Sequence, residues 1–112
     1  MYTIKFFEKS NGECPFQMFL NGRNKKTEAS FFKLLDILIV QGTNLKQPYS
    51  NPLRDGIREL RIKYASYQYH ALYFWFHRSN TYVITHGIIT QSDVVPDVEI
   101  DRAIKYRNEF LG

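Results

Sequence analysis

The chain has a single cysteine, Cys14, so no disulfide can close within it and a reducing compartment is its simplest setting. Its three histidines, His70, His77 and His86, have no companion Cys or His at metal-ligand spacing, so neither a metal site nor a cofactor is expected. Long apolar runs are missing as well. The greasiest stretch, Leu34 to Val40, is interrupted by Asp36 and is too short to span a bilayer. The chain enters Tyr2-Thr3-Ile4-Lys5-Phe6-Phe7 without a basic lead, an apolar run and a small-residue cleavage site. No secretory signal is therefore expected, and the expected location is cytoplasmic. Repeats and low-complexity segments are absent. At 112 residues the expectation is one domain spanning 1–112, large enough for one core and too short for two.

What is present points to a sheet. The chain is 44% hydrophobic and 23% charged, an ordinary balance for a folded protein. Its aromatic share of 16% is high, and aromatic side chains favour pleated, half-buried surfaces. Fifteen Lys and Arg against 11 Asp and Glu leave a charge of +4. That excess suits a polyanion such as RNA, and equally suits a basic surface without a special partner.

Period and punctuation give the elements. Residues 2–7 read as a first strand with Tyr2, Ile4 and Phe6 on one face. Pro15 opens a short helix, where its missing N–H costs nothing, and Asn21-Gly22 ends it. A second helix runs from about 24 to 41, and Gly42 is placed to close it in a left-handed conformation. Residues 43–55 are a loop with two prolines. In the next strand Glu59, Arg61 and Lys63 alternate with Leu60 and Ile62, so one face is core and the other polar and charged. A third strand, about 68–77, is apolar on both faces and should be central and covered on both sides. After a hairpin at Arg78-Ser79-Asn80, a fourth strand from Thr81 to Ile89 carries Tyr82, Ile84 and Ile88 on one side and Val83 and Ile89 on the other. The last helix begins near Pro96, with Asp97, Glu99 and Asp101 at its dipole-favoured start. The order β-α-α-β-β-β-α predicts an α+β domain with helices packed on a small, twisted, mainly antiparallel sheet.

In order and spacing, Leu53-Arg54-Asp55-Gly56-Ile57-Arg58-Glu59-Leu60-Arg61, Tyr69-His70-Ala71-Leu72-Tyr73 and His86-Gly87 resemble the HigB branch of the RelE/ParE toxin superfamily. Ser10-Asn11-Gly12, Pro15, Phe19-Leu20 and the acidic helix start after Pro96 extend the likeness over nearly the whole chain. The resemblance implies the RelE-like fold and the toxin of a type II toxin–antitoxin pair. It implies an endoribonuclease that cuts mRNA in the ribosomal A site, with a HigA-like helix-turn-helix antitoxin as partner. Assembly as a homodimer or a toxin–antitoxin heterotetramer goes with that reading. Nucleic-acid and ribosome contacts are implied, and a membrane partner is not.

Metal-free RNA cleavage needs a base for the ribose 2′-OH, a fixed cation for the phosphate and an acid for the leaving 5′-oxygen. Arg61 matches the family's Glu-Leu-Arg motif and suits the cation role, because its planar fork grips phosphate oxygens in pairs. The plain alternative is a surface Arg paired with Glu59 or Asp55. His70, with an ordinary pKa of about 6.5, is the second catalytic candidate, and its alternative is a histidine hydrogen-bonded at a sheet edge. Tyr69 is the third, as a group that stacks on a base or bonds a phosphate. Arg58, Lys63, Thr90, Gln91 and Ser92 are expected at the RNA. His86 is expected to pin its strand end. The family commonly has Arg at position 70 and Lys-Lys-Thr at 90–92. The differences here leave open a second reading, the same fold as an inactive binding module for antitoxin, operon or RNA. A third reading is a ParE-like gyrase poison, since folds do not fix function.

Overall fold

The computed structural model describes residues 2–112. Strand β1 (Thr3–Phe6) is followed by helices α1 (Pro15–Asn21) and α2 (Lys25–Gln41), then by β2 (Ser50–Pro52), β3 (Ile57–Tyr64), β4 (Tyr67–Phe76), β5 (Thr81–Thr90) and α3 (Asp97–Leu111). Each start has a local cause. Pro15 occupies the first turn of α1, where no N–H is needed. The Asn24 side chain caps α2 by accepting from the Thr27 N–H at 2.8 Å, worth about 1 kcal/mol. Pro96 precedes α3, and Asp97 and Glu99 lie in its first turn. Gly42 ends α2 with φ 55° and ψ −127°. Its φ is positive as expected, but ψ lies outside the left-handed helical well, in a region that suits glycine alone. The Tyr2 ring fills the space a Cβ would need there.

The sheet is mixed, in the order β1-β5-β4-β3-β2. β1 runs parallel to β5 and the other pairs are antiparallel. β2, a three-residue edge strand, was not legible in the two-proline loop; it adds a fifth strand to the four expected. β4 is the central strand, as its two apolar faces required.

Two cores sandwich this sheet. On one face α1 and α2 bring Phe16, Leu20, Phe31, Leu35 and Leu38 against Leu60, Ala71, Tyr73, Tyr82 and Ile84. On the other, α3 brings Ile100, Ala103 and Tyr106 against Ile57, Leu72, Phe74 and Val83. Burying each such side chain contributes roughly 1.5–3 kcal/mol, which offsets the entropy of ordering the chain.

One irregularity sets the geometry of everything after it. The register slips between Leu72 and Tyr73: Leu72 pairs with His86 and Tyr73 with Ile84, which leaves Thr85 as an unpaired bulge. The Thr85 hydroxyl donates to the Leu72 carbonyl at 3.1 Å and holds the bulge. Because strand side chains alternate, one extra residue turns every later side chain to the opposite face. Ile88 therefore packs with Val83 under α3, not with Tyr82 and Ile84 as simple alternation predicts. Gly87 instead faces α1, and the Phe19 ring lies flush on it where a Cβ would stand.

Candidate active site

Past the N-terminal end of α3, the face that the helix covers turns polar. β3 contributes Glu59, Arg61 and Lys63, since Ile57 of the same alternation packs under α3. β4 contributes Gln68 and His70, with His70 directly opposite Arg61. β5 contributes Thr90, opposite Gln68 and diagonal to His70. Without the bulge at Thr85, Thr90 would point to the α1/α2 face, away from all of these.

Glu59 is the centre of this cluster. Only 1% of it is exposed. Its Oε1 lies 2.6 Å from His70 Nδ1, and it accepts from Arg61 Nη2 at 3.1 Å and Nε at 3.4 Å. Burial pushes the Glu59 carboxyl up, but the hydrogen bonds and positive charge of His70 and Arg61 outweigh it and hold the group below its usual value. A lone buried carboxylate would be very costly; here two donors on two strands satisfy it.

His70 has no exposed surface. It lies on the central strand, not at an edge, and no bulky ligand reaches it directly. Its Nε2 is 2.7 Å from Thr90 Oγ1. Thr90 in turn donates to the Ser92 carbonyl at 2.6 Å and is half-buried. The chain Glu59–His70–Thr90 thus leads from the interior to the surface across three strands.

Arg61 is fixed by Glu59 from below and keeps 23% of its side chain exposed. Among the described residues its Nη1 has only Asp93 Oδ1, 3.9 Å away, so two N–H groups face outward with little to hold them. Asp93 also accepts a short hydrogen bond from Gln68 Nε2. That bond, together with the charges of Arg61, Lys63 and His70, holds the Asp93 carboxyl low. β2 pairs only with Arg58–Leu60, so the rest of β3 forms a sheet edge. An open cleft of about 590 Å³ runs along it, lined by Lys33, Tyr49, Arg61, Lys63 and Asp93 among others. Three cations against one carboxylate, beside a Tyr49 that is 52% exposed, suit a phosphate backbone with an unstacked base.

Other expected site residues lie elsewhere. Tyr69 alternates to the opposite face and packs against the α1/α2 core, so it does not join Arg61 and His70. Arg58 is on that face too, where its guanidinium donates to Tyr73 Oη and Ser50 Oγ, both at 3.3 Å. Gln91 and Ser92 are exposed in the turn after β5, and Ser92 meets the site through its carbonyl. Lys63 is exposed at the cleft. His86 is 3% exposed and is held between Thr85 and the Glu99 of α3. Burial, with a lesser push from Arg102, lowers its pKa against the pull of Glu99. Sequence reasoning missed Glu59, Asp93, Lys33 and Tyr49 as members of the site. The signal for Glu59 was its place two residues before Arg61 in a strand, hence on the same face.

The model of the family described as phage derived protein Gp49-like (DUF891) matches residues 18–108, from α1 through most of α3. The chain belongs to this Gp49-like family. It is a RelE/ParE-like toxin family, and the five-strand mixed sheet with three packed helices is consistent with a RelE-like fold. Toxins of this kind imply an antitoxin partner. No curated protein matches the chain. Among the described residues no helix is long and apolar enough to cross a membrane.

Proposed function

We propose that this Gp49-like protein is an endoribonuclease toxin that cuts ribosome-bound mRNA by attack of a ribose 2′-OH on the adjacent phosphate. The observation that carries the reading is Arg61: its guanidinium is fixed on a buried carboxylate, and its Nη1 faces a basic cleft. A cation held in place before the substrate arrives stabilises the charge that builds on phosphate oxygens without reorganisation. Lys33 and Lys63 steer the backbone, and Tyr49 offers a ring for a base. Asp93, which lies against Arg61 from the solvent side, yields its place to the phosphate. The ribosome orients the RNA, so a sparse site suffices. A HigA-like antitoxin is the partner that neutralises the protein.

The pairing of Arg61 with Glu59 favours a second reading, a binding module in which that charge is structural. Comparison of the wild type with Arg61→Ala separates the two. The nuclease reading expects a folded variant that no longer arrests growth or cuts messages. A soluble wild type that neither arrests growth nor cuts messages would leave the binding module, and a folded variant as toxic as the wild type would leave the gyrase reading.

A further inference from the structure

The geometry points to Thr90 as the group that protonates the departing 5′-oxygen, with His70 and Glu59 behind it as a buried proton relay. This inference rests on the nuclease reading and adds to it a source of acid.

The hydrogen bonds fix the direction of the relay. A threonine hydroxyl has one proton, and that of Thr90 goes to the Ser92 carbonyl at 2.6 Å. With that bond made, Thr90 Oγ1 accepts from His70 Nε2 at 2.7 Å. At the other nitrogen the Glu59 carboxylate accepts from Nδ1 at 2.6 Å. Both ring nitrogens donate, so the arrangement holds an imidazolium between a carboxylate and a hydroxyl. His70 is fully buried, whereas Thr90 is half-exposed. The imidazolium therefore reaches the site only through the Thr90 hydroxyl. Arg61 lies opposite His70 in register, so a phosphate gripped by Arg61 is on the same face as Thr90.

The 2′-oxygen bonds to phosphorus and its proton passes to solvent water. The bond from phosphorus to the 5′-oxygen breaks, and the Thr90 hydroxyl turns from the Ser92 carbonyl to give that oxygen its proton while His70 Nε2 gives one to Thr90. The products are a 2′,3′-cyclic phosphate and a free 5′-hydroxyl. His70 is left neutral, with its remaining proton on Nδ1 toward Glu59, and regains the other from solvent. Thr90 is the catalytic residue of this step, and His70 and Glu59 are positioning residues. Positioned acids of this kind accelerate such reactions by roughly 100- to 10,000-fold.

The test uses ribosome-bound mRNA with either the normal linkage or a 5′-bridging sulfur at the mapped cleavage site. A thiolate leaves without being protonated. Thr90→Val should cut the normal linkage about 100-fold more slowly, Thr90→Ser should stay near wild type, and the Thr90→Val defect should vanish on the sulfur linkage. The wild type alone gives an independent reading: deuterium oxide should slow cleavage of the normal linkage more than that of the sulfur one, where only the 2′-OH proton moves. Thr90→Val cutting the normal linkage at the wild-type rate would overturn the relay, as would equal slowing on both linkages, the mark of a structural role. An isotope effect of equal size on both linkages would overturn it too. A folded wild type that cuts neither linkage would overturn the nuclease reading and the relay together.

Discussion

Replacing Glu59 by Gln should cost this protein a large part of its stability. The side chain is 1% exposed and accepts from His70 at 2.6 Å and from Arg61 at 3.1 and 3.4 Å. Glutamine keeps the volume but puts a neutral amide opposite two cationic donors. Removing one partner of a buried charge cluster costs about 3–5 kcal/mol, because the remaining charges stay desolvated. Against a total of about 5–15 kcal/mol for a domain, that is a substantial fraction. The melting temperature should fall by on the order of 10–20 °C. Urea unfolding at pH 7 measures it directly, through a shift of the midpoint at constant slope. The same variant has a signature in acid. Glu59 is held below its usual value of 4.5 in the folded state, so on acidification the unfolded chain takes up this proton first. The stabilisation is full above that usual value and is lost as pH falls through the lower folded value. Glu59→Gln should flatten this acid limb. A loss under about 1 kcal/mol at pH 7, or an acid limb identical to the wild type's, would refute the description of Glu59 as an ionised hub.

Two further substitutions probe the α1 contact and the cleft. In Gly87→Ala the new methyl meets the Phe19 ring, so overpacking should destabilise by about 1–3 kcal/mol in urea unfolding, and Phe19→Leu in the same chain should recover part of it. Tyr49→Ala should weaken RNA binding by about 1–3 kcal/mol, the worth of one stacked base, in a titration against a single-stranded RNA while leaving the urea midpoint unchanged. Unchanged RNA affinity would remove Tyr49 from the cleft's function.

Most elements could be read from the chain because each had a local physical cause. Pro15 at a helix start, Asn24 at a cap and strict alternation from Glu59 to Lys63 all act within a few residues. β2 escaped because three residues that end on a proline carry no period. The face of Thr90 escaped for a deeper reason. It depends on the bulge at Thr85, and nothing in a β-branched residue between Ile84 and His86 announces that it will be left unpaired. The same bulge displaced Ile88. Tyr69 and His70 are neighbours in one motif, yet adjacent residues of a strand point to opposite faces, and only His70 shares one with Arg61. Glu59 looked like a solvated charge on a polar face. Its burial comes from His70 and Arg61 on and across that face, which no local pattern encodes.

Cleavage of messages through Arg61 is tested most directly by inducing the wild type and Arg61→Ala in cells without antitoxin while growth and mRNA 5′ ends are followed together. The wild type should arrest growth with new 5′ ends inside translated messages, and a soluble, folded Arg61→Ala should do neither. Arrest without new ends, or a folded Arg61→Ala that cuts as the wild type does, would contradict it.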